Sequence, residues 1–181
     1  MHPAAFSFVA TVVAKYPPHA GARVLEIGAR DINGSIRAVF ASSDVRYLGT
    51  DIAPGPGVDL VADGATLTLP APADIAVCCE VLEHTPEAEA IIANLATLLE
   101  PGGRIIITAA GQGDGWARAP HSAVDGCALK EGEYYGNISE ADLREWLDRA
   151  GFVKIKAIGN VGWQDVYATA VKGWEHHESV V

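Results

Sequence analysis

An alternating α/β chain built on a doubly wound, mostly parallel sheet is what this 181-residue sequence predicts, and three observations predict it. Val24, Leu25 and Ile27 form a short apolar run that meets a glycine turn at Gly28 and then a helix start, the pattern of a strand buried on both faces. Further apolar runs alternate with stretches of helical spacing, as βα units require. The last two strand-like runs are joined by so short a link that they must pair antiparallel.

In chain order, residues 1–18 carry the N-terminal helix. Phe6, Val9, Val12, Val13 and Tyr16 fall at helical spacing, and Pro17-Pro18 ends the run. No Lys or Arg precedes it and it is too short to span a bilayer, so it reads as neither leader nor anchor. After the first strand, Asn33, Gly34 and Ser35 offer caps for a helix bearing Ile36, Val39 and Phe40. Val45 to Asp51 reads as the second strand, and Val58 to Ala62, ending in Asp63-Gly64, as a short third. Asp74 to Cys79 reads as the fourth. Thr85 as cap and Pro86 as first helical residue then start a helix with Ile91, Ile92, Leu95, Leu98 and Leu99 on one stripe. Pro101-Gly102-Gly103 stops it, and Arg104 to Thr108 follows as a central fifth strand. Residues 111–138 form a long glycine-rich connection carrying Trp116, His121, Tyr134 and Tyr135, of the length that lids and substrate loops have. Ser139 with Asp142 caps a helix with Leu143, Trp146 and Leu147 inward. Phe152 to Ile158 and Val166 to Val171 close the chain as a hairpin.

The length suits one domain over residues 1–181. A formal charge of -10, with no basic run, argues against a nucleic-acid partner. Cys78 and Cys79 are adjacent in an apolar run and Cys127 stands apart, which suits reduced thiols in a cytoplasmic protein. No Cys/His spacing resembles a zinc site, and His176-His177 reads as a solvated tail. Glu80, Glu83 and His84 are read as a dipole-compatible helix lead rather than as metal ligands.

The acids are placed with a pattern. Glu26, Asp51 and Asp63 each close a successive strand, and Asp51 stands 23 positions after Gly28. An acid about 20 residues past a glycine turn is where a βαβ unit receives a ribose hydroxyl. A shared strand edge with a shared ligand is the expectation.

These residues resemble the class I S-adenosylmethionine-dependent methyltransferases over nearly the whole chain. Val24-Leu25-Glu26-Ile27-Gly28 looks like the first motif of that family, and Asp51 like its ribose-binding acid. Asp63-Gly64 sits where the family contacts adenine. Glu80-Val81-Leu82-Glu83-His84 is similar to the Glu-x-Leu-Glu-His segment of a branch acting mainly on small molecules, and Leu99-Glu100-Pro101-Gly102-Gly103 to its Leu-x-Pro-Gly-Gly turn. The resemblance implies a Rossmann-like, seven-stranded sheet with the last strand antiparallel. It implies S-adenosylmethionine held by Glu26, Gly28, Ala29, Arg30 and Gly34 of the first turn. Asp51, Ile52, Asp63, Gly64, Glu80 and Val81 of the next three strand ends complete that site. One departure is Arg30, which stands where the family has its middle glycine; its guanidinium could reach the cofactor carboxylate.

The expected activity is methyl transfer to O or N of a small molecule, with His121 as the base that takes the acceptor proton. Base-amino and cytosine methylation both look closed: Cys79-Glu80-Val81-Leu82 replaces the Pro-Pro-aromatic segment, and no cysteine follows a proline. Two rivals remain: a non-catalytic S-adenosylmethionine-binding regulatory or assembly module, and an NAD(P)-dependent oxidoreductase. The latter lacks its Gly-x-Gly-x-x-Gly spacing.

Overall fold

The computed structural model describes residues 3–41, 43–112, 129–160, 162 and 164–174. The expectations for Trp116, His121, Cys127 and His176-His177 lie outside them. The chain runs α1 (Pro3–Lys15), β1 (Ala22–Ile27), a short 3-10 helix (Ile36–Phe40), β2 (Val45–Asp51), β3 (Leu60–Val61) and β4 (Ala73–Cys79). A second 3-10 turn (Leu82–His84), α2 (Ala88–Leu98), β5 (Leu99–Gln112), β6 (Ile138–Ser139), α3 (Glu140–Arg149), β7 (Phe152–Asn160) and β8 (Asp165–Lys172) follow.

The sheet order is β3-β2-β1-β4-β5-β8-β7, with the two-residue β6 added beside the end of β5. β1 to β5 are mutually parallel, and β8 runs antiparallel to both β5 and β7. That is the doubly wound sheet with a reversed last strand that the sequence predicts. Strand alternation splits the core between its faces. Val24, Ile75, Val77, Cys79 and Ile106 pack under α1 and the first 3-10 helix. Leu25, Ile27, Cys78, Ile105 and Ile107 pack under α2 and α3. Ile105, Ile106 and Ile107 are wholly buried. Each contributes about 1.5–3 kcal/mol of burial, which fixes β5 as the axis of the sheet.

Several elements differ from the sequence reading. The helix expected after β1 is a five-residue 3-10 helix, capped by Ser35 accepting from the Arg37 N–H. Its anchors Ile36 and Phe40 both reach the core, and beyond Ala41 no apolar residue follows until Val45 to extend the stripe. The third strand shrinks to Leu60–Val61, an exposed edge pair. α2 begins at Ala88 rather than at Pro86; the Thr85 hydroxyl accepts from the Glu87 N–H in a turn that precedes the helix. β5 is longer than Arg104 to Thr108, because β8 pairs with it as far as Ala110 and β6 beyond that. The Ser139 and Asp142 capping box of α3 is present as expected. Among the described residues no helix is long and apolar enough to cross a membrane.

Candidate functional site

Parallel strands bring their C-terminal ends to one rim, and the order places β1 between β2 and β4. Gly28 leaves β1 with φ +80, and its N–H and that of Ala29 both donate to the Thr50 carbonyl, at 2.8 and 2.9 Å. A Cβ on Gly28 would lie 2.1 Å from Val81 Cγ2. Glycine is therefore required twice, by conformation and by the close approach of the β4 end.

Asp51, the last residue of β2, meets this turn. One carboxylate oxygen accepts the Arg30 N–H at 3.3 Å and the other the Ala53 N–H at 3.0 Å. A carboxylate holds about four acceptor sites, so each oxygen retains capacity for a ligand hydroxyl. Ile52 beside it is 77% exposed, a bare apolar face next to an oriented acid. Asp63 is exposed and its carboxylate accepts the Ala65 N–H at 2.9 Å, a local turn that fixes its direction. Gly64 faces inward instead: a Cβ there would sit 2.8 Å from Ile27 Cγ2, and its carbonyl accepts from Asn94.

The Arg30 side chain turns away from the glycine bend. Its stem lies along Gly55, where a Cβ would be 2.8 and 2.9 Å from Arg30 Cγ and Cδ. Its Nε is buried with no hydrogen-bond partner among the described residues. Gly34 does not join the bend; its N–H donates to Asp31 Oδ1 at 2.8 Å and so closes the loop before Ser35.

Glu26 is turned off the rim onto the α1 face and is 4% exposed. Its Oε2 accepts the Tyr47 hydroxyl at 2.7 Å. Burial raises the Glu26 pKa above the usual carboxylate range, with the Tyr47 hydrogen bond acting the other way. Arg37 stacks over the Tyr47 ring at 4.6 Å and pairs with Asp59, linking the acid to β2 and the following loop.

On the other side of β1 the end of β4 is strained. Glu80 has φ 56, its N–H donates to the Thr108 carbonyl, and its Oε1 accepts the Thr108 hydroxyl at 2.8 Å. Val81 covers the Gly28 bend. Glu83 is 2% exposed; Oε1 accepts the Ala110 N–H at 3.1 Å, and Oε2 has no hydrogen-bond partner among the described residues. Burial, then the nearby Glu80 charge, push the Glu83 carboxyl up to about 8. His84 sits edge-on to Tyr135 with ring centroids 5.2 Å apart, and burial lowers its pKa. Asp165, opposite Ala110 at the start of β8, is 2% exposed and accepts the Tyr167 hydroxyl at 2.7 Å. Among the described residues no three His, Cys, Asp or Glu side chains gather as a metal group.

The fold therefore brings the Gly28 bend, Asp51, Ile52, Glu80 and Val81 around one rim, with Glu26 beneath it and Gly64 in the core. Sequence reasoning missed Tyr47, Arg37, Asp165 and Tyr167. Tyr47 had a signal, because the period of two puts alternate β2 residues on the same face as alternate β1 residues. Asp165 had a weaker one, an acid opening an alternating run.

A parallel-centred sheet in this order, with a glycine bend and an acid at its rim, defines a Rossmann-like α/β protein of the methyltransferase type. A family model described as a methyltransferase domain matches residues 1–157, and the chain belongs to that family. The ubiquinone biosynthesis O-methyltransferase of Xylella fastidiosa strain 9a5c is 30% identical over 162 residues, 77% of this chain and 64% of that protein. The chain thus spans less than two thirds of that curated relative. Among solved structures, the Burkholderia thailandensis 1,6-didemethyltoxoflavin-N1-methyltransferase superposes with a TM-score of 0.69 at 23% identity, covering 94% of this chain and 79% of that one. Magnesium protoporphyrin IX methyltransferase of Synechocystis PCC 6803, solved with S-adenosylhomocysteine, gives 0.66 at 21%, covering 93% and 82%. At these identities the two structures speak for the shared fold.

Proposed function

We propose that this protein is an S-adenosylmethionine-dependent methyltransferase acting on O or N of a small molecule. The observation that carries the reading is the Asp51 carboxylate, aimed by two backbone N–H groups beside the Gly28 bend and next to the bare Ile52 side chain. The residues present fit an adenosyl group: an acid with spare acceptor sites for ribose hydroxyls, an exposed apolar face for a base, and a bend without a Cβ. The family membership and the relatives' names support the same reading.

Asp51 would hold the ribose and Ile52 would cover the base. When bound, S-adenosylmethionine supplies a methyl group on a sulfonium. The protein's own part is alignment and exclusion of water, which can lower a barrier by about 7–11 kcal/mol. His121 is proposed as proton acceptor on sequence grounds. We read the chain as one domain working in the cytoplasm, a reading supported by the extent of the family match and the buried, free Cys78 and Cys79.

Calorimetry with S-adenosylhomocysteine tests the cofactor site, and release of S-adenosylhomocysteine from S-adenosylmethionine with a panel of phenols and amines tests turnover. Binding with turnover on some acceptor is expected. Binding without turnover across the panel would leave the non-catalytic reading in place, and no binding would remove both. His121→Ala is expected to lower kcat about a hundredfold or more with S-adenosylhomocysteine affinity unchanged.

A further inference from the structure

An arginine at position 30 departs from the middle glycine of the family, and the loop between β2 and β3 shows what makes room for it. The Arg30 stem lies against Gly55, where a Cβ would be 2.8 Å from Arg30 Cγ and 2.9 Å from its Cδ. The Nε beyond them is buried too, so the stem is held along its length. Gly55 is not in the left-handed region, unlike Gly57 at φ +86. What Gly55 supplies is therefore space rather than backbone freedom.

The slot has little means of widening to take a larger residue. Pro54 and Pro56 flank Gly55, each with φ held at about -65°, and a residue before proline is itself confined to extended backbone. The same loop is also fastened beside the Gly28 bend. The Pro56 carbonyl accepts the Asp31 N–H at 2.8 Å, and Gly57 lies so near Ala29 that a Cβ would be 2.5 Å from its carbonyl oxygen. Arg37 Nη2 donates to the Gly57 carbonyl at 3.1 Å and pairs with Asp59, whose carboxylate accepts the Gly49 N–H of β2 at 2.7 Å. A side chain at 55 would therefore press on the Arg30 stem while the loop holds its place. Cγ and Cδ are the near part of that stem, so the strain passes to the Arg30 backbone, whose N–H is one of the two that aim Asp51.

We propose that Gly55 is a positioning residue of the cofactor site: by leaving a slot for the Arg30 stem, it lets an arginine occupy this place with its N–H on Asp51. The inference rests on the reading of this rim as the S-adenosylmethionine site. The test is a double-mutant cycle on the full chain, read by calorimetry with S-adenosylhomocysteine and, without ligand, by hydrogen exchange of the residue-30 amide. Gly55→Val is expected to weaken S-adenosylhomocysteine about tenfold or more and to speed that exchange about tenfold or more. Combined with Arg30→Ala it is expected to bind within about threefold of Arg30→Ala alone, with the exchange of that single variant, because the stem it presses on is gone. Gly55→Ala adds one methyl at the same contact and reads the same pattern at smaller amplitude should the valine variant fail to fold. Equal losses with arginine or alanine at position 30 would assign the effect to the loop itself and overturn the proposal, as would unchanged affinity or unchanged exchange in Gly55→Val. Absence of S-adenosylhomocysteine binding by the parent chain would strike the cofactor reading alone, because the exchange measurement still shows whether the effect of Gly55→Val depends on the Arg30 side chain.

Discussion

The two halves of the rim treat their acids in opposite ways. On the β2 side, Asp51 and Asp63 are oriented by backbone N–H groups and stay accessible to a ligand. On the β4–β5–β8 side, Glu83 and Asp165 are buried against the sheet, and burial, then the Glu80 charge, push the Glu83 carboxyl up to about 8. The same residue class thus serves as a preset acceptor in one place and as a proton-sensitive group in the other. The difference is set by burial, since Asp63 and Glu83 each accept a backbone N–H but only Glu83 is shut away from water.

The harshest way to break this arrangement is at its hinge. Gly28→Ala combines a left-handed backbone with a methyl 2.1 Å from Val81 Cγ2. The expected loss is about 3 kcal/mol, read as a fall of roughly 6–12 °C in the thermal midpoint. Next in size is Asp51→Asn, which keeps the shape and removes the charge. S-adenosylhomocysteine affinity should fall about tenfold to a hundredfold by calorimetry, while the thermal midpoint moves little.

On the buried side the expected effect is one of pH. Glu83 has a folded pKa of about 8 against an ordinary 4.5, so the folded protein holds a proton that the unfolded chain releases. Stability from this group is complete below about 4.5 and declines as pH rises toward 8, with a slope of at most about 1.4 kcal/mol per pH unit. Urea titrations across that window should show the decline, and Glu83→Gln should flatten it. A Gln variant with the parent's slope would assign the proton elsewhere. The smallest expected change comes from Arg30→Ala. What Arg30 gives Asp51 is its backbone N–H, which alanine retains, so S-adenosylhomocysteine affinity should shift by less than about tenfold. A larger fall would give the guanidinium a direct share in holding the ligand.

Much of this was legible in the residues and some was not. The strand tips at Gly28 and Asp51, the reversed hairpin and the Ser139 capping box all rest on local chemistry, and each appears where the sequence places it. The direction of Glu26 did not: a strand residue's face depends on its neighbours' register, and only pairing with β2 shows that Tyr47 is within reach of its carboxylate. The short helix at Ile36–Phe40 escaped for a similar reason, since tertiary anchoring of two side chains outweighed helical spacing. The stacking of Phe8 on Tyr167 joins the two ends of the chain, a long-range contact that no local pattern announces.

The antiparallel course of β8 also says where such a protein is free to vary. A forward strand reaches the working surface with its exit residue, whose neighbours then dive into a crossover helix. A backward strand arrives there with its entry residue, here Asp165 at the start of β8. Lengthening or retyping the 161–164 link would move Asp165 and Tyr167 as a unit while the β5 seam from Arg104 to Thr108 keeps its partners. That edge of the sheet can therefore be altered at its entry without touching the β1–β2 pairing that sets the Gly28 bend and Asp51.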